Sequence, residues 1–257
     1  MNKQPKLDVK LVSIGQIVPR LHYGVNSREW WIMRGDSKLE EGVFLYPIRV
    51  GWETVIEQNN RYFFMHITEG NENSEILPGY RCQSGSKFSD VETAPSYVIT
   101  SLYQRIFSNS KTKFSGPLVL GWVNNELLEA SLENIPFRAF AVKVDDIMIY
   151  ITNISICGQK KTIKNYIASF TGEYKRKRAL YVQKIQPDNC EISIHQKDHE
   201  TIFFFGSTPT EAWQNVGYYK KYRGTQLFGL EHPMTRNTIN EQRIPTCLPM
   251  FWDNECL

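Results

Sequence analysis

Short runs of β-branched and aromatic residues, cut off by turn formers, recur along most of this chain and restrict it to antiparallel sheet. "VFLYPIRV" (43–50), "RYFFMHITEG" (61–70) and "SYVITSLY" (96–103) come first. "FRAFAVKV" (137–144), "IMIYITNISI" (147–156), "ALYVQKI" (179–185), "CEISIHQ" (190–196) and "ETIFFFG" (200–206) follow. Segments of this kind read as short strands, and helices do not alternate with them as a βαβ fold requires. The expected class is α+β: mostly antiparallel β-sheet or a partly closed barrel, with a few short helices. "EGNENSEILP" (69–78) and "CQSGSKFSDVETAP" (82–95) read as polar loops, and Asp145-Asp146 as a turn between two apolar strands.

Three helices are expected. In "FFFGSTPTEAWQNV" (203–216) Thr208 is the N-cap, Pro209 opens the helix and the Glu211 carboxylate reaches back to the cap residue's N–H. Trp213 and Val216, three apart, then face inward. The second half of "FSGPLVLGWVNNELLEASL" (114–132) has helical spacing, with Trp122, Leu127, Leu128 and Leu132 apolar. His232-Pro233 opens a last short helix to about residue 240, followed by an irregular tail, "IPTCLPMFWDNECL". "FSGPLVLGW" and "FGSTPTEAW" echo one another, both running from Phe through small residues and Pro to Trp.

Composition enters as a set of limits. With 14 Phe, 13 Tyr and 6 Trp among 257 residues, a large core is within reach. A net charge of +3 is too small to argue for nucleic acid, so any such case rests on local clustering. Five cysteines, an odd number with no CxxC pair, argue against a disulfide framework or zinc site and for a reducing compartment. The N-terminus does not read as a signal peptide, and no run approaches 18 apolar residues; no membrane span is expected.

The segments "LYPIRVGWET", "RYFFMHITEG" and "APSYVIT", then "FGSTPTEAW" (or "FSGPLVLGW"), then "QLFGLEHPMTRNTI" stand in an order that resembles the FY-rich domain, the paired FYRN and FYRC regions of chromatin proteins. The resemblance makes Tyr46, Pro47, Gly51, Trp52, Trp122, Thr208, Pro209, Glu211, Trp213, Phe228, Gly229 and Leu230 the fold-defining residues. It implies an FYRN-like region over 41–132 co-folded with an FYRC-like region over 201–257, with Trp213 and Phe228 in the shared core. Residues 133–200 are then a strand-rich insertion or a second, partial copy, and 1–40 stay unassigned. It also implies a nuclear, chromatin-associated, non-catalytic interaction domain that scaffolds or recruits a chromatin-modifying or transcriptional complex. No methyltransferase or demethylase sequence accompanies it, and no cofactor is implied.

Local chemistry points the same way. The chain has no HExxH, GxSxG, phosphate loop or dinucleotide fingerprint. His195 and His199 have the spacing of metal ligands on a helix, but strand-like residues precede them. Lys175, Arg176, Lys177 and Arg178 are consecutive, with Lys160, Lys161 and Lys164 upstream: a nuclear-import segment, a patch for phosphates or acidic partners, or a solvated loop. Tyr218, Tyr219, Lys220, Lys221, Tyr222 and Arg223 interleave rings and cations, as base-stacking surfaces do, although the far end of the Trp213 helix accounts for them too. Adjacent Trp30 and Trp31 point oppositely on a strand, one ring buried and the other an anchor for a partner. The expected partner is a protein. Nucleic acid bound through the basic and Tyr-rich segments is the alternative, and an enzyme of unrecognised type, marked by a deep pocket with perturbed titratable groups, is a third.

Overall fold

The computed structural model describes residues 7–35, 41–108, 110–157 and 161–241; Lys160, Cys247, Cys256 and the tail lie outside them. Along the chain run β1 (Val9–Gln16), α1 (Pro19–His22), a 3-10 turn (Ser27–Trp30), β2 (Trp31–Ile32), β3 (Val43–Phe44), β4 (Tyr46–Pro47), β5 (Val50–Gln58), β6 (Arg61–Asn71), β7 (Ser74–Ser84) and β8 (Lys87–Phe88). Helices α2 (Pro95–Ile106), α3 (Gly116–Val119) and α4 (Asn125–Ala130) come next. Strands β9 (Phe140–Val144), β10 (Ile147–Cys157), β11 (Thr162–Tyr174), β12 (Lys177–Gln186), β13 (Asn189–His195) and β14 (Ile202–Gly206) lead to α5 (Pro209–Val216), α6 (Gly224–Leu227) and α7 (Pro233–Asn240).

These elements make two compact units. One comprises Met1–Leu21, Glu29–Ile32 and Tyr46–Asn134; the other comprises His22–Arg28, Met33–Leu45 and Ile135–Leu257. The first holds an open five-stranded sheet, β1-β5-β6-β7-β8, and the small β2-β4 pair. The second holds an open seven-stranded sheet, β14-β13-β12-β11-β10-β9-β3. All pairings are antiparallel, and neither sheet closes into a barrel.

The units are built on one frame. Each ends its sheet in a helix with proline in its first turn (α2, α5), then a four-residue helix opened by glycine (α3, α6), a left-handed glycine, and a side-chain-capped helix (α4, α7). From the middle helix onward the second unit follows the first by a constant 108 residues: Gly116 and Gly224, Leu120 and Phe228, Gly121 and Gly229, Asn124 and His232. The hydrogen bonds repeat with the residues. Leu120 N donates to Gly116 O and Phe228 N to Gly224 O, both at 3.0 Å. Asn124 Oδ1 accepts from Glu126 N at 2.9 Å and His232 Nδ1 from Met234 N at 3.2 Å. The sheet ties to the same two carbonyls in each unit. Trp52 Nε1 donates to Leu120 O (3.1 Å) and Thr54 Oγ1 to Val119 O (2.7 Å). In the second unit the Tyr166 hydroxyl donates to Phe228 O, and Gln183 Nε2 to Leu227 O (2.7 Å).

Several expectations change. Trp52 falls in the first unit and Phe228 in the second. Within the second unit Trp213 and Phe228 pack on β11, whose Phe170 and Tyr166 rings they meet, and the strands of 133–200 form most of the second sheet. "SYVITSLY" is helical, because Pro95 starts a helix whose Val98, Ile99, Leu102 and Tyr103 form one buried stripe. "EGNENSEILP" is no loop but the end of β6, a tight turn and the start of β7. "VFLYPIRV" breaks into three pieces around Pro47, and "FSGPLVLGW" matches 222–230 rather than "FGSTPTEAW". The turn at Asp145-Asp146 and the last helix, Pro233–Asn240, stand where expected.

Candidate functional site: a cationic hairpin tip

Strands β11 and β12 pair from Tyr166↔Ile185 down to Tyr174↔Lys177, leaving Lys175 and Arg176 as a two-residue turn. Both take left-handed backbone angles, φ 47° and 63°. Turns of this type favour Asn and Gly, whose side chains tolerate positive φ. For a long side chain the left-handed conformation costs roughly 1–2 kcal/mol per residue. The equivalent hairpin of the first unit, β5–β6, whose Trp52 stands where Tyr166 stands, places Asn59 and Asn60 at the turn, φ 51° and 56°. The second unit carries Lys-Arg where the first carries the residues that the backbone prefers.

Two segments separated by more than forty residues meet at this tip. Helix α5 stops at Val216, where Gly217, φ 73°, closes it with bonds to Trp213 O and Gln214 O. The Tyr-Lys run is therefore not the helix's last turn but a loop, with Tyr219 itself at φ 56°. That loop lies on the hairpin: Lys175 N donates to the Tyr218 hydroxyl at 2.9 Å and Glu173 N to the Tyr219 hydroxyl at 3.0 Å. Tyr219 fits because position 172 is glycine; a Cβ there would meet the Tyr219 oxygen at 1.8 Å. Burial pushes the Tyr219 and Tyr181 hydroxyls up from their ordinary range, so both stay neutral.

Beneath the loop the support is rigid. Trp213 is 4% exposed, parallel to Phe170 (5.8 Å) and edge-on to Tyr219 (5.9 Å). Its Nε1 donates to Gln183 Oε1 at 3.0 Å, and Gln183 in turn holds the end of α6. Thr208 caps α5 through Glu211 N (3.2 Å), but the Glu211 carboxylate accepts from Ser207 N (2.8 Å), one residue before the expected donor. The Ser207 hydroxyl, and then its backbone N–H, hold that carboxyl below its usual range.

The surface so assembled carries Lys175, Arg176, Lys177, Arg178, Lys220, Lys221 and Arg223, all exposed. Compensation is partial. Arg223 pairs with Glu231 at 2.7 Å, Glu173 stands opposite Arg178 in register, and the Tyr222 hydroxyl, ahead of the Asp145 and Asp146 charges, favours the charged form of Lys221. A hollow of about 290 Å³ beside the tip is lined by Thr210, Gln214, Tyr218, Lys220, Tyr222 and Arg223, among others. Lys221 Nζ lies over the Tyr222 ring (4.6 Å) and Lys175 Nζ over Tyr174 (5.1 Å).

Other candidates lie elsewhere. Trp30 and Trp31 are both buried, since Trp30 closes a 3-10 turn and the pair never shares a strand; Trp30 Nε1 donates to Ile76 O at 2.9 Å. Neither is an exposed anchor. Tyr46 donates to Glu129 Oε1 (3.2 Å), Pro47 pairs with Trp31, Gly51 has φ 78°, and Trp122 stands edge-on to Tyr80. Gly229 is the left-handed residue after Phe228, and Leu230 N closes the turn onto Thr225 O (3.0 Å). Among the described residues no three His, Cys, Asp or Glu side chains gather as metal ligands, and no helix is long and apolar enough to cross a membrane. The hydroxyls of Tyr80 and Tyr166 and the Cys82 thiol (pushed up to about 12) are raised by burial in the cores, and none of the three lines the hollow.

His195 and His199 do not converge. His195 lies 3.0 Å from Ser193 Oγ and 3.2 Å from Thr201 Oγ1, whereas His199 Nε2 lies 2.8 Å from Lys177 Nζ. Burial, then the Lys184 charge, lowers the His195 pKa against an opposing pull from Glu191. The folded state therefore prefers neutral imidazole. Its contribution is complete above the unfolded value of about 6.5 and is lost as pH falls below it toward the folded value. Urea denaturation between pH 7.5 and 5.5 checks this: the wild type should lose stability across the interval, and His195→Gln should lose less.

The fold and site thus define a two-unit β-rich protein presenting a cationic hairpin tip on an aromatic support. The chain matches no protein-family model, no curated protein and no solved structure.

Proposed function

We propose that this chain is a non-catalytic interaction protein of FY-rich type that works in the nucleus, holding or recruiting a chromatin-modifying or transcriptional assembly. One observation carries the interaction reading: the two cation-rich segments singled out in the sequence lie side by side, joined through Tyr218 and Tyr219 to one hairpin. Positioned charge on a packed support suits docking. The family part rests on the order of sequence segments.

Expression of the tagged chain in its own cells tests this reading. It should concentrate in the nucleus and co-purify, in stoichiometric amount, with subunits of one defined chromatin assembly. A uniform distribution with no stoichiometric partner would overturn it.

A further inference from the structure

We propose that the Lys175-Arg176 turn is a docking point for an acidic peptide, a run of consecutive carboxylates bound by Lys175, Arg176, Lys177 and Lys220. This rests on the interaction reading and adds the chemistry of the partner. Charge alone is not the warrant. The first unit shows what this frame uses at the turn, Asn59-Asn60, with the Asn59 amide donating to the Tyr103 hydroxyl. The second unit departs from it at both left-handed positions and fixes the result with the Tyr218 and Tyr219 hydroxyls. Left-handed backbone recurs at other turns of this chain, Lys161 included; at 175–176 it coincides with two consecutive cations and a second segment bonded onto the turn, and strain so held is ground for a functional proposal. Here the feature it displays is a pair of cationic side chains standing out at a turn.

The ring geometry favours carboxylates over bases. Single strands of nucleic acid need open aromatic faces on which to stack. Tyr174 is buried, Tyr219 stands edge-on within the Phe170, Tyr181 and Trp213 cluster, and the face of Tyr222 carries Lys221; Tyr218 is exposed but tilted against Tyr174 at 5.1 Å, so the tip offers one open ring and not the succession that a strand of bases stacks on. The cations are gathered at one turn and its adjoining loop, a size that a short acidic segment spans. Glu173, opposite Arg178, and Glu231, paired with Arg223, stand beside the cluster.

Fluorescence anisotropy with labelled octaglutamate and labelled oligothymidylate, at about 0.15 M salt, decides it on the full chain. Octaglutamate should bind, weaken as salt rises, and lose about tenfold or more in affinity with Lys175→Asn/Arg176→Asn. That variant should melt about 3 °C or more above the wild type, since asparagine relieves the turn. Lys177→Gln/Lys220→Gln, exposed and at positions of ordinary backbone, should weaken the peptide while moving the melting point by about 1 °C or less, and keeps the test valid if the turn variant misfolds. Undetectable octaglutamate binding, equal binding by these variants, or tighter binding of oligothymidylate would each overturn the proposal. If the nuclear partner still co-purifies in those cases, only the acidic-peptide assignment falls.

Discussion

Replacing Trp213 with alanine is expected to destabilise the second unit by about 3–5 kcal/mol, the range for deleting a buried tryptophan from a packed core. The ring is nearly enclosed and touches Phe170, Tyr181 and Tyr219. Its loss also strips Gln183 Oε1 of its donor, in a residue with no exposed surface. Trp213→Phe separates the two parts: it keeps most of the packing and should cost about 1–3 kcal/mol for the orphaned acceptor. Urea midpoints and the near-ultraviolet circular dichroism signal measure both. A loss below about 1 kcal/mol for Trp213→Ala would mean that the aromatic cluster is not the support of the hairpin tip.

The second large effect is expected at Gly224. A Cβ there would lie 2.3 Å from the Pro209 carbonyl carbon and 2.4 Å from Pro209 O and Thr210 N. Those are backbone atoms at the start of a capped helix, so relief requires α5 and α6 to part. Gly224→Ala should cost about 3 kcal/mol, at the upper end of overpacking losses. Gly116, its counterpart, meets the Pro95 ring at 2.5 Å and Ser96 N at 2.9 Å. The first contact is with the edge of a ring, so Gly116→Ala should be destabilising but milder. Thermal melts of the two variants test the shared frame: equal and negligible effects would show that the glycines are not what lets the two helices approach.

Sheet content was legible because β-branched and aromatic runs between turn formers have one common outcome, and the runs at 61–70, 147–156 and 190–196 are strands. Local composition misled where one residue outweighed its neighbours. Val98, Ile99 and Thr100 look like strand, but Pro95 and the buried stripe make them helix. Strand β11 went unread because Lys164, Asn165, Ser169 and Glu173 mask its apolar face. The candidate site was half legible. Both cationic segments stood out, but only the Tyr218 and Tyr219 hydroxyl bonds bring them together, and no local rule pairs a turn with a loop more than forty positions later. The repeat was present in "FSGPLVLGW" and "YRGTQLFGL", where two glycines five apart carry the match and the aromatic landmarks point elsewhere.

A chain that contains one frame twice has a wrong way to fold. During refolding the glycine-led helix of either half can lay its two carbonyls against the other half's sheet, since both sheets offer donors for them. Size discriminates: the large Trp52 sits over Leu120, whereas Tyr166 faces the ring of Phe228 at 6.0 Å. Crossing the halves would set Trp52 against Phe228, two large rings, and Tyr166 against the smaller Leu120, so side-chain size at these positions disfavours the crossed match.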